Sequence, residues 1–528
     1  MSDKANKCRT HFNGSHHPVV DFWRREVGGI SPRNFSDRFS ASENMVLRLE
    51  IYRKLAKHKG CVNTVSFNPQ GDILVSGSDD RRVFLWDWEL GNVKLSFHSG
   101  HSNNVFQAKF MPFSDDRTIV TCAADGMVNN SFSNHCKLLY NRIVCEMFAN
   151  IFQVRRASVL ESGKVETVLL GLHQGRAHKL CIEPGNPHVF YTCGEDGLVQ
   201  RFDLRTQAPT ELFTCQAVDT RRRSMEAAQL NAIAMDPRNS NLLAVGGMDE
   251  YARLYDIRRV QGDGSSRAAD HFCPPHLIGD TRVGITGLAF SEQSELLVSY
   301  NDEFIYLFTH GMGLGSNPIM PSSPSSSKSK SESEDDDGSK SSVLPMAYKG
   351  HKNCETVKGV NFCGPRSEYV VSGSDCGRIF IWKKRSGELI RVMEADRYVV
   401  NCIEPHPHIP VLASSGIEND IKVWTSKAAE RATLPDNIET FQRKRKPRGW
   451  MYRVSSPHEL LAQLFFLQNR SRFSEDRGGE EEEEASSSST GRELLDLILT
   501  FNDDDDDNDE HVSDDDDEDG VSREDFFS

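Results

Sequence analysis

The chain has 528 residues, of which 38% are hydrophobic and 26% charged, with a mean hydropathy of -0.51 and a formal net charge of -15. That apolar content is low for one compact body of this length, so part of the chain is expected to lie outside any core, and no apolar run approaches the roughly 18 residues of a membrane span. Charge is segregated: residues 475–528 hold 24 acidic and 3 basic residues, net -21, which leaves +6 on the rest and makes the overall pI of 5.7 a poor guide to the folded part.

The polar start Met1-Ser2-Asp3-Lys4 lacks the apolar stretch of a signal peptide, and residues 1–44 read as a disordered extension. Thirteen cysteines, an odd number without a Cys-x-x-Cys pair, suit buried thiols of a reducing compartment better than disulfides or zinc. A soluble intracellular protein without metal or cofactor is expected.

The first organised stretch, Met45 to Leu55, is strand-like, and a motif follows it. Ser76-Gly77-Ser78-Asp79-Asp80, two arginines and Val83-Phe84-Leu85-Trp86-Asp87 form a tight turn and an alternating apolar strand that ends in an aromatic. The acid stands six residues before the aromatic, and the pair recurs as Asp196 with Phe202, Asp249 with Tyr255 and Asp302 with Phe308. Glu418 holds that place before Trp424, and Cys376 before Trp382. Such self-similarity marks units that bury their faces only by stacking on one another, and this pattern is that of a WD repeat. Seven repeats can be counted, at about 58–90, 101–170, 173–215, 229–258, 281–310, 348–390 and 396–425. The fold class is therefore all-β, a seven-bladed β-propeller over residues 45–425. Each repeat reads as three inner strands, with the outermost strand supplied after the aromatic. The last repeat lacks that strand, and residues 45–55 could pair with it and close the ring.

Structural roles go to the blade-turn acids Asp80, Asp196, Asp249 and Asp302 and to the opening histidines His58, His101, His178 and His351. In WD repeats such a His, a strand Ser or Thr, the turn Asp and the Trp form a buried hydrogen-bonded network. His406-Pro407-His408 holds two close histidines in a rigid turn, but a metal there would need ligands to which nothing in the sequence points.

Two segments interrupt the repeats. In blade two the turn Asp125-Gly126-Met127-Val128 is followed by polar sequence, and strand-like sequence resumes only near Gln153; residues 129–152 read as an insertion into the strand itself, either a product of an alternative transcript or gene model or an extruded binding loop. Residues 311–343, placed between blades five and six, are rich in Gly, Pro, Ser and acid and read as a disordered loop; Ser331 and Ser333 there precede acidic residues and suit an acid-directed kinase, or else belong to a plain solvated loop. Beyond the propeller, residues 426–474 carry the basic block Arg443 to Arg448, consistent with nuclear import or a nucleic-acid patch, then a helix opened by Ser456-Pro457 and continued through Leu461, Leu464 and Phe465. Residues 475–528 read as an acidic disordered tail, with a second short apolar segment at Leu494 to Phe501. Nuclear and cytoplasmic residence is expected.

No Walker, Rossmann, zinc-protease or nucleophile-elbow signature occurs with supporting context. The sharper signal follows two consecutive closing aromatics: Phe202-Asp203-Leu204-Arg205 and Tyr255-Asp256-Ile257-Arg258 both fit aromatic-Asp-x-Arg. Third strands end on the same face of every blade, so Asp203 with Arg205 and Asp256 with Arg258 should stand side by side, presenting planar charged forks suited to carboxylates or backbone oxygens. The plainer reading is of surface arginines that cap strand ends. Blade one departs from the pattern with Trp86-Asp87-Trp88-Glu89.

Several stretches resemble the cullin-four-associated factor eight group: His58 to Val65, Gly100 to Phe110, Tyr300 to Phe308, Thr356 to Phe362, Val371 to Gly377 and Asn401 to His408. The resemblance spans roughly residues 45–425 and leaves out the tail. It implies a non-catalytic WD-repeat substrate receptor that docks through the damaged-DNA-binding adaptor onto a cullin-four RING ubiquitin ligase and presents a protein for ubiquitination. It carries the adaptor-docking boxes onto Asp203 and Arg205 and onto Asp256 and Arg258. It shares Cys376 at a turn-acid position, whereas residues 129–152 depart from it. The expected partners are the adaptor, the ligase core and an unidentified protein substrate; neither a membrane nor nucleic acid is expected. A different class, a chromatin- or RNA-associated scaffold that uses the basic block, stands as the alternative.

Overall fold

The computed structural model describes residues 18–124 and 152–435, apart from 207, 218–226, 261–266, 281, 317 and 319–343. Seven antiparallel sheets of four strands follow one another in chain order, one per blade. Blade one shows why the sequence folds this way. Val62–Phe67, Ile73–Ser78 and Arg82–Asp87 are buried over most of their length because both faces of the sheet are covered, and Asn92–His98, which alternates between exposed and at least half-buried residues, adds the outer strand. Arg81 (φ 62) makes the left-handed step of the tight turn. Seven buried apolar clusters fill the seven clefts between neighbouring blades, so each blade is stabilised by its neighbours more than by itself.

The ring closes with a strand from the start of the propeller. Glu50–Ala56 pairs antiparallel with Asp420–Thr425, placing Ile51 opposite Trp424 and Leu55 opposite Ile421. Blade seven thus takes its outer strand from the opposite end of the domain, which leaves neither end strand of the ring unpaired. Inside the N-terminal extension the described residues form three short helices, α1 (Pro18–Glu26), α2 (Pro32–Ser40) and α3 (Glu43–Val46). Ser31 caps α2 by accepting from the Asn34 amide, with Pro32 at the first helical position. Phe22 packs edge-on against Phe35, while Val46 and Leu49 join the cluster between blades six and seven.

Two of the sequence expectations are corrected. In blade two the third strand, Phe152–Val159, is complete and pairs with Thr118–Ala123 in unbroken register from Thr118 opposite Ser158 to Cys122 opposite Val154. The extra residues therefore lie in the connection between two strands and do not break the ladder. In blade five the outer strand is Met346–Tyr348, paired with Ile305–Phe308. The acidic, serine-rich segment thus joins two strands of one blade and does not separate blades five and six. Among the described residues no helix is long and apolar enough to cross a membrane.

Candidate functional site

The two aromatic-Asp-x-Arg boxes adopt the same geometry in adjacent blades. In blade three the third strand Leu198–Asp203 ends on the box, and Arg205 donates from Nε (2.8 Å) and Nη2 (2.7 Å) to the two oxygens of Asp203. In blade four Ala252–Asp256 ends likewise, and Arg258 donates to Asp256 at 2.9 and 2.8 Å. Each aspartate also accepts from the amide of its own arginine, at 3.1 Å in both boxes. The hydrogen bonds from Arg205 hold the Asp203 carboxyl well below the usual carboxylate range, and those from Arg258 hold Asp256 at about 2. The arginine side chains remain about two-thirds exposed, 62% and 64%. One edge of each fork is spent on the aspartate, which fixes the rotamer, and the rest of the guanidinium faces solvent ready for an acceptor. Blade one has Glu89 in place of the arginine, and the residue before it, Trp88, is buried and donates to the Gly71 carbonyl at 2.7 Å.

The blade-turn acids divide into distinct environments. Asp80 receives His58 Nδ1 at 2.9 Å, His58 Nε2 meets Ser76 Oγ at 2.8 Å, and Trp86 Nε1 donates to the same hydroxyl at 2.9 Å. Burial would raise the Asp80 carboxyl, but hydrogen bonds from His58 and from the Lys59 and Arg82 amides outweigh it and bring it to about 2. Blade three repeats the network with His173, whose ring nitrogens meet Asp196 at 3.0 Å and Thr192 at 2.7 Å. This corrects the assignment of His178, which instead pairs with Glu195 at 2.8 Å and stacks on Phe106. His101 reaches Thr121 at 2.8 Å. Asp249 has no histidine and forms an ion pair with the buried Arg253. Asp302 takes the left-handed step of its turn, at φ 53, and its amide donates to the Asn353 carbonyl at 2.6 Å.

Blade six departs furthest. Both ring nitrogens of the buried His351 lack a hydrogen-bond partner, and burial first, then the nearby Lys358 charge, lowers its pKa to about 3. Ser372 turns to the Gly373 carbonyl, and Trp382 Nε1 donates to Lys349 O at 2.8 Å. The acid of this blade is Asp375, one residue before Cys376, and it forms a buried ion pair with Lys358. Cys354, Glu355 and Asp375 bring three potential ligand atoms within 4.8 Å of one another. The Asp375 charge is already met there by the Lys358 ammonium and by the Cys354 and Glu355 amides.

His406 and His408 are staples of the seam between blades seven and one. His406 Nε2 donates to Gly71 O at 2.9 Å and His408 Nε2 to Pro69 O at 2.8 Å. Neither signal was legible beforehand, because the acceptors lie more than 330 residues away. Ser331, Ser333, the basic block Arg443 to Arg448 and the helix from Pro457 lie outside the described residues.

With this geometry in place, the class of protein is settled: the chain is a seven-bladed WD-repeat β-propeller. The family model described as "WD domain, G-beta repeat" matches residues 49–87 and 342–383, which hold the closing strand with the three inner strands of blade one, and the outer strand of blade five with the three inner strands of blade six. Among known proteins the chain is similar to Protein ALTERED SEED GERMINATION 2 of Arabidopsis thaliana, 30% identical over 54% of this chain and 39% of that one. It is 29% identical to DDB1- and CUL4-associated factor 6 of Mus musculus, over 55% of this chain and 31% of that protein. Human WD and tetratricopeptide repeats protein 1 is 22% identical over 77% of this chain and 89% of its own length. The chain thus spans about a third to two-fifths of the first two relatives.

Proposed function

We propose that this propeller is a non-catalytic substrate receptor that docks on the DDB1 adaptor of a cullin-four RING ubiquitin ligase and recruits a protein for ubiquitination. One observation carries the reading: two adjacent blades end their third strands in the same pre-set Asp–Arg fork, on one face. Similarity to a protein named as a DDB1- and CUL4-associated factor supports it. In this reading Arg205 and Arg258 grip the adaptor and Asp203 and Asp256 position them. The finer assignment to the factor eight group rests on the stretches quoted above and is part of the proposal, as is residence in both nucleus and cytoplasm.

The test is affinity purification with wild-type bait and with an Arg205→Ala/Arg258→Ala double variant. Exposed strand-end arginines contribute little to stability, whereas truncating an interface Arg typically costs about 2 kcal/mol or more in binding. Loss of the adaptor from a folded double variant is expected; undiminished recovery would sink the assignment. Removing residues 475–528 should leave docking intact, since neither box draws on them.

A further inference from the structure

Most arginines of the ring that lie beside a carboxylate use it, as in Arg205–Asp203, Arg258–Asp256, Arg253–Asp249, Arg282–Asp280 and Arg378–Glu394. One group does not. In the cleft between blades one and two, Arg82 lies opposite His98 in the β-ladder, and the Arg81 carbonyl accepts from Ser99 N (3.0 Å) and Ser99 Oγ (2.7 Å). Gly100 donates to His98 Nδ1 at 3.1 Å, in a left-handed conformation (φ +85) whose missing Cβ would stand 2.9 Å from Arg155 Nη1. The loop His98–Gly100 therefore gathers Arg81 and Arg82 of one blade and Arg155 of the next.

Among the described residues none of the three guanidiniums is held in an ion pair. Arg82 donates to the neutral Ser96 hydroxyl (3.1 Å) and Arg155 to the neutral Gln153 amide oxygen (2.8 Å), and among the described residues no carboxylate pairs with Arg81, Arg82 or Arg155. The acids of the same turn are occupied: Asp80 binds His58, and Asp79 accepts from Asn63 at 2.7 Å. His98 titrates below its ordinary value because of partial burial first and then Arg81, Arg82, His101 and Arg155.

We infer that this cluster is a docking surface for an acidic segment of a protein partner, its oxyanions held by the three guanidiniums. The group that binds is a phosphoryl or a clustered carboxylate, the two oxyanions that planar guanidinium forks bind in pairs. Arg82 opens the third strand of blade one, whereas the Asp–Arg boxes follow the ends of third strands, so the cluster and the boxes occupy opposite faces. A partner can then be held here while the other face is engaged. Nucleic acid fits less well, because on this same face blades six and seven line a cleft of about 650 Å³ with Glu394, Asp396, Glu418 and Asp420 interleaved with Lys54, Arg378 and Arg397, so the uncompensated positive charge is confined to the His98 cluster and suits a short acidic segment better than a long polyanion. Only the identification of that partner with the ligase substrate rests on the proposed function; the binding itself does not.

The experiment uses the full chain without adaptor and measures fluorescence anisotropy with three labelled probes: an Asp/Glu-rich peptide with one central serine, its phosphoserine form, and the Asn/Gln analogue. The acidic probes should bind, more weakly as salt rises, and the neutral analogue should not. An Arg81→Ala/Arg82→Ala/Arg155→Ala variant should lose at least tenfold in affinity, and the corresponding triple Lys variant should keep part of it, which guards against a folding defect. Preference for the phosphoserine probe would identify phosphoryl as the ligand, and equal binding would identify carboxylate. The inference is overturned if the folded Ala variant binds like wild type, if replacing Arg443 to Lys446 by Ala abolishes binding by itself, or if an oligo(dT) strand outcompetes both acidic peptides.

Discussion

Trp88 and His406 donate to one acceptor, the carbonyl of Gly71, at 2.7 and 2.9 Å, from blades one and seven. His406 Nδ1 in turn accepts from the His408 and Ile409 amides, so the ring is the neutral tautomer with its proton on Nε2. Burial, the largest influence, keeps it neutral by lowering its pKa to about 4. The seam at which the propeller closes is thus fixed by hydrogen bonds as well as by the strand that crosses it.

Gly71→Ala should therefore destabilise far more than a surface change. The residue sits at φ +87, and a Cβ there would overlap the His406 ring. Left-handed strain adds about 1 kcal/mol, and displacement of His406 breaks its bond to the shared carbonyl, so a loss of about 2–4 kcal/mol is expected in chemical denaturation. A loss below about 1 kcal/mol would show that the seam relaxes freely.

The histidines of blades one and six should respond in opposite ways. His58→Leu removes two hydrogen bonds, one to an ionised carboxylate, and leaves Asp80 without its main partner, a cost of about 2–4 kcal/mol. His351→Leu removes a buried ring that bonds to nothing and should be neutral or stabilising at pH 7. The pH profile tests the same point. His351 and His406 have folded pKa values of about 3 and 4 against an ordinary 6.5, so the unfolded chain takes up their protons first. Their contribution is complete above about pH 6.5 and declines as pH falls toward 4, by an amount on the order of 1–3 kcal/mol per residue. The leucine variant at position 351 should show the shallower decline between pH 6.5 and 4; an unchanged slope would count against a neutral buried His351.

How much of this was legible in the sequence follows from the range of each interaction. The six-residue interval from turn acid to aromatic is local, and it located Trp86, Phe202, Tyr255, Phe308 and Trp424 at the ends of their strands. The Asp–Arg boxes were visible because acid and base are two residues apart. His173 was missed in favour of His178 because both precede the strand Lys179–Ile182, and the contact with Asp196 spans 23 residues and leaves no local trace. The segment before Met346 was assigned to the wrong boundary because a three-residue outer strand is too short to carry a periodic pattern. Inter-blade contacts such as Trp88 with Gly71 depend on stacking and leave no local trace.

The boxes themselves make a graded prediction on the proposed docking. Asp203→Asn and Asp256→Asn keep the size of the side chain but remove the charge that holds each fork, leaving Arg205 and Arg258 free to sample other rotamers. Adaptor affinity should fall by about three- to tenfold for the pair, less than for the double arginine variant, because only pre-organisation is lost. Equal losses would make the aspartates direct contacts, and no loss would remove their positioning role. Titration calorimetry against purified adaptor measures all three cases.

Blade two supplies the sharpest test, because register predicts which deletion is silent. In blade one Gly77 pairs with Val83, six residues on; in blade two the residue equivalent to Gly77 is Cys122, and it pairs with Val154. Six residues after Cys122 comes Val128, which can take the place of Val154 if the chain continues directly into Arg155. Removing residues 129–154 should thus keep Arg155 opposite Thr121 and Ala157 opposite Ile119. It should also raise the melting temperature, since a short turn replaces a long connection. Removing residues 129–152 instead joins Val128 to Gln153 and slides the strand by two. Faces are preserved because the period is two, but Arg155 then takes the buried place of Ala157 against Ile119. An unpaired buried charge costs several kcal/mol, so this second variant should melt well below the first. Equal melting temperatures would refute the register argument, and a fall in both would make the segment an integral part of the blade.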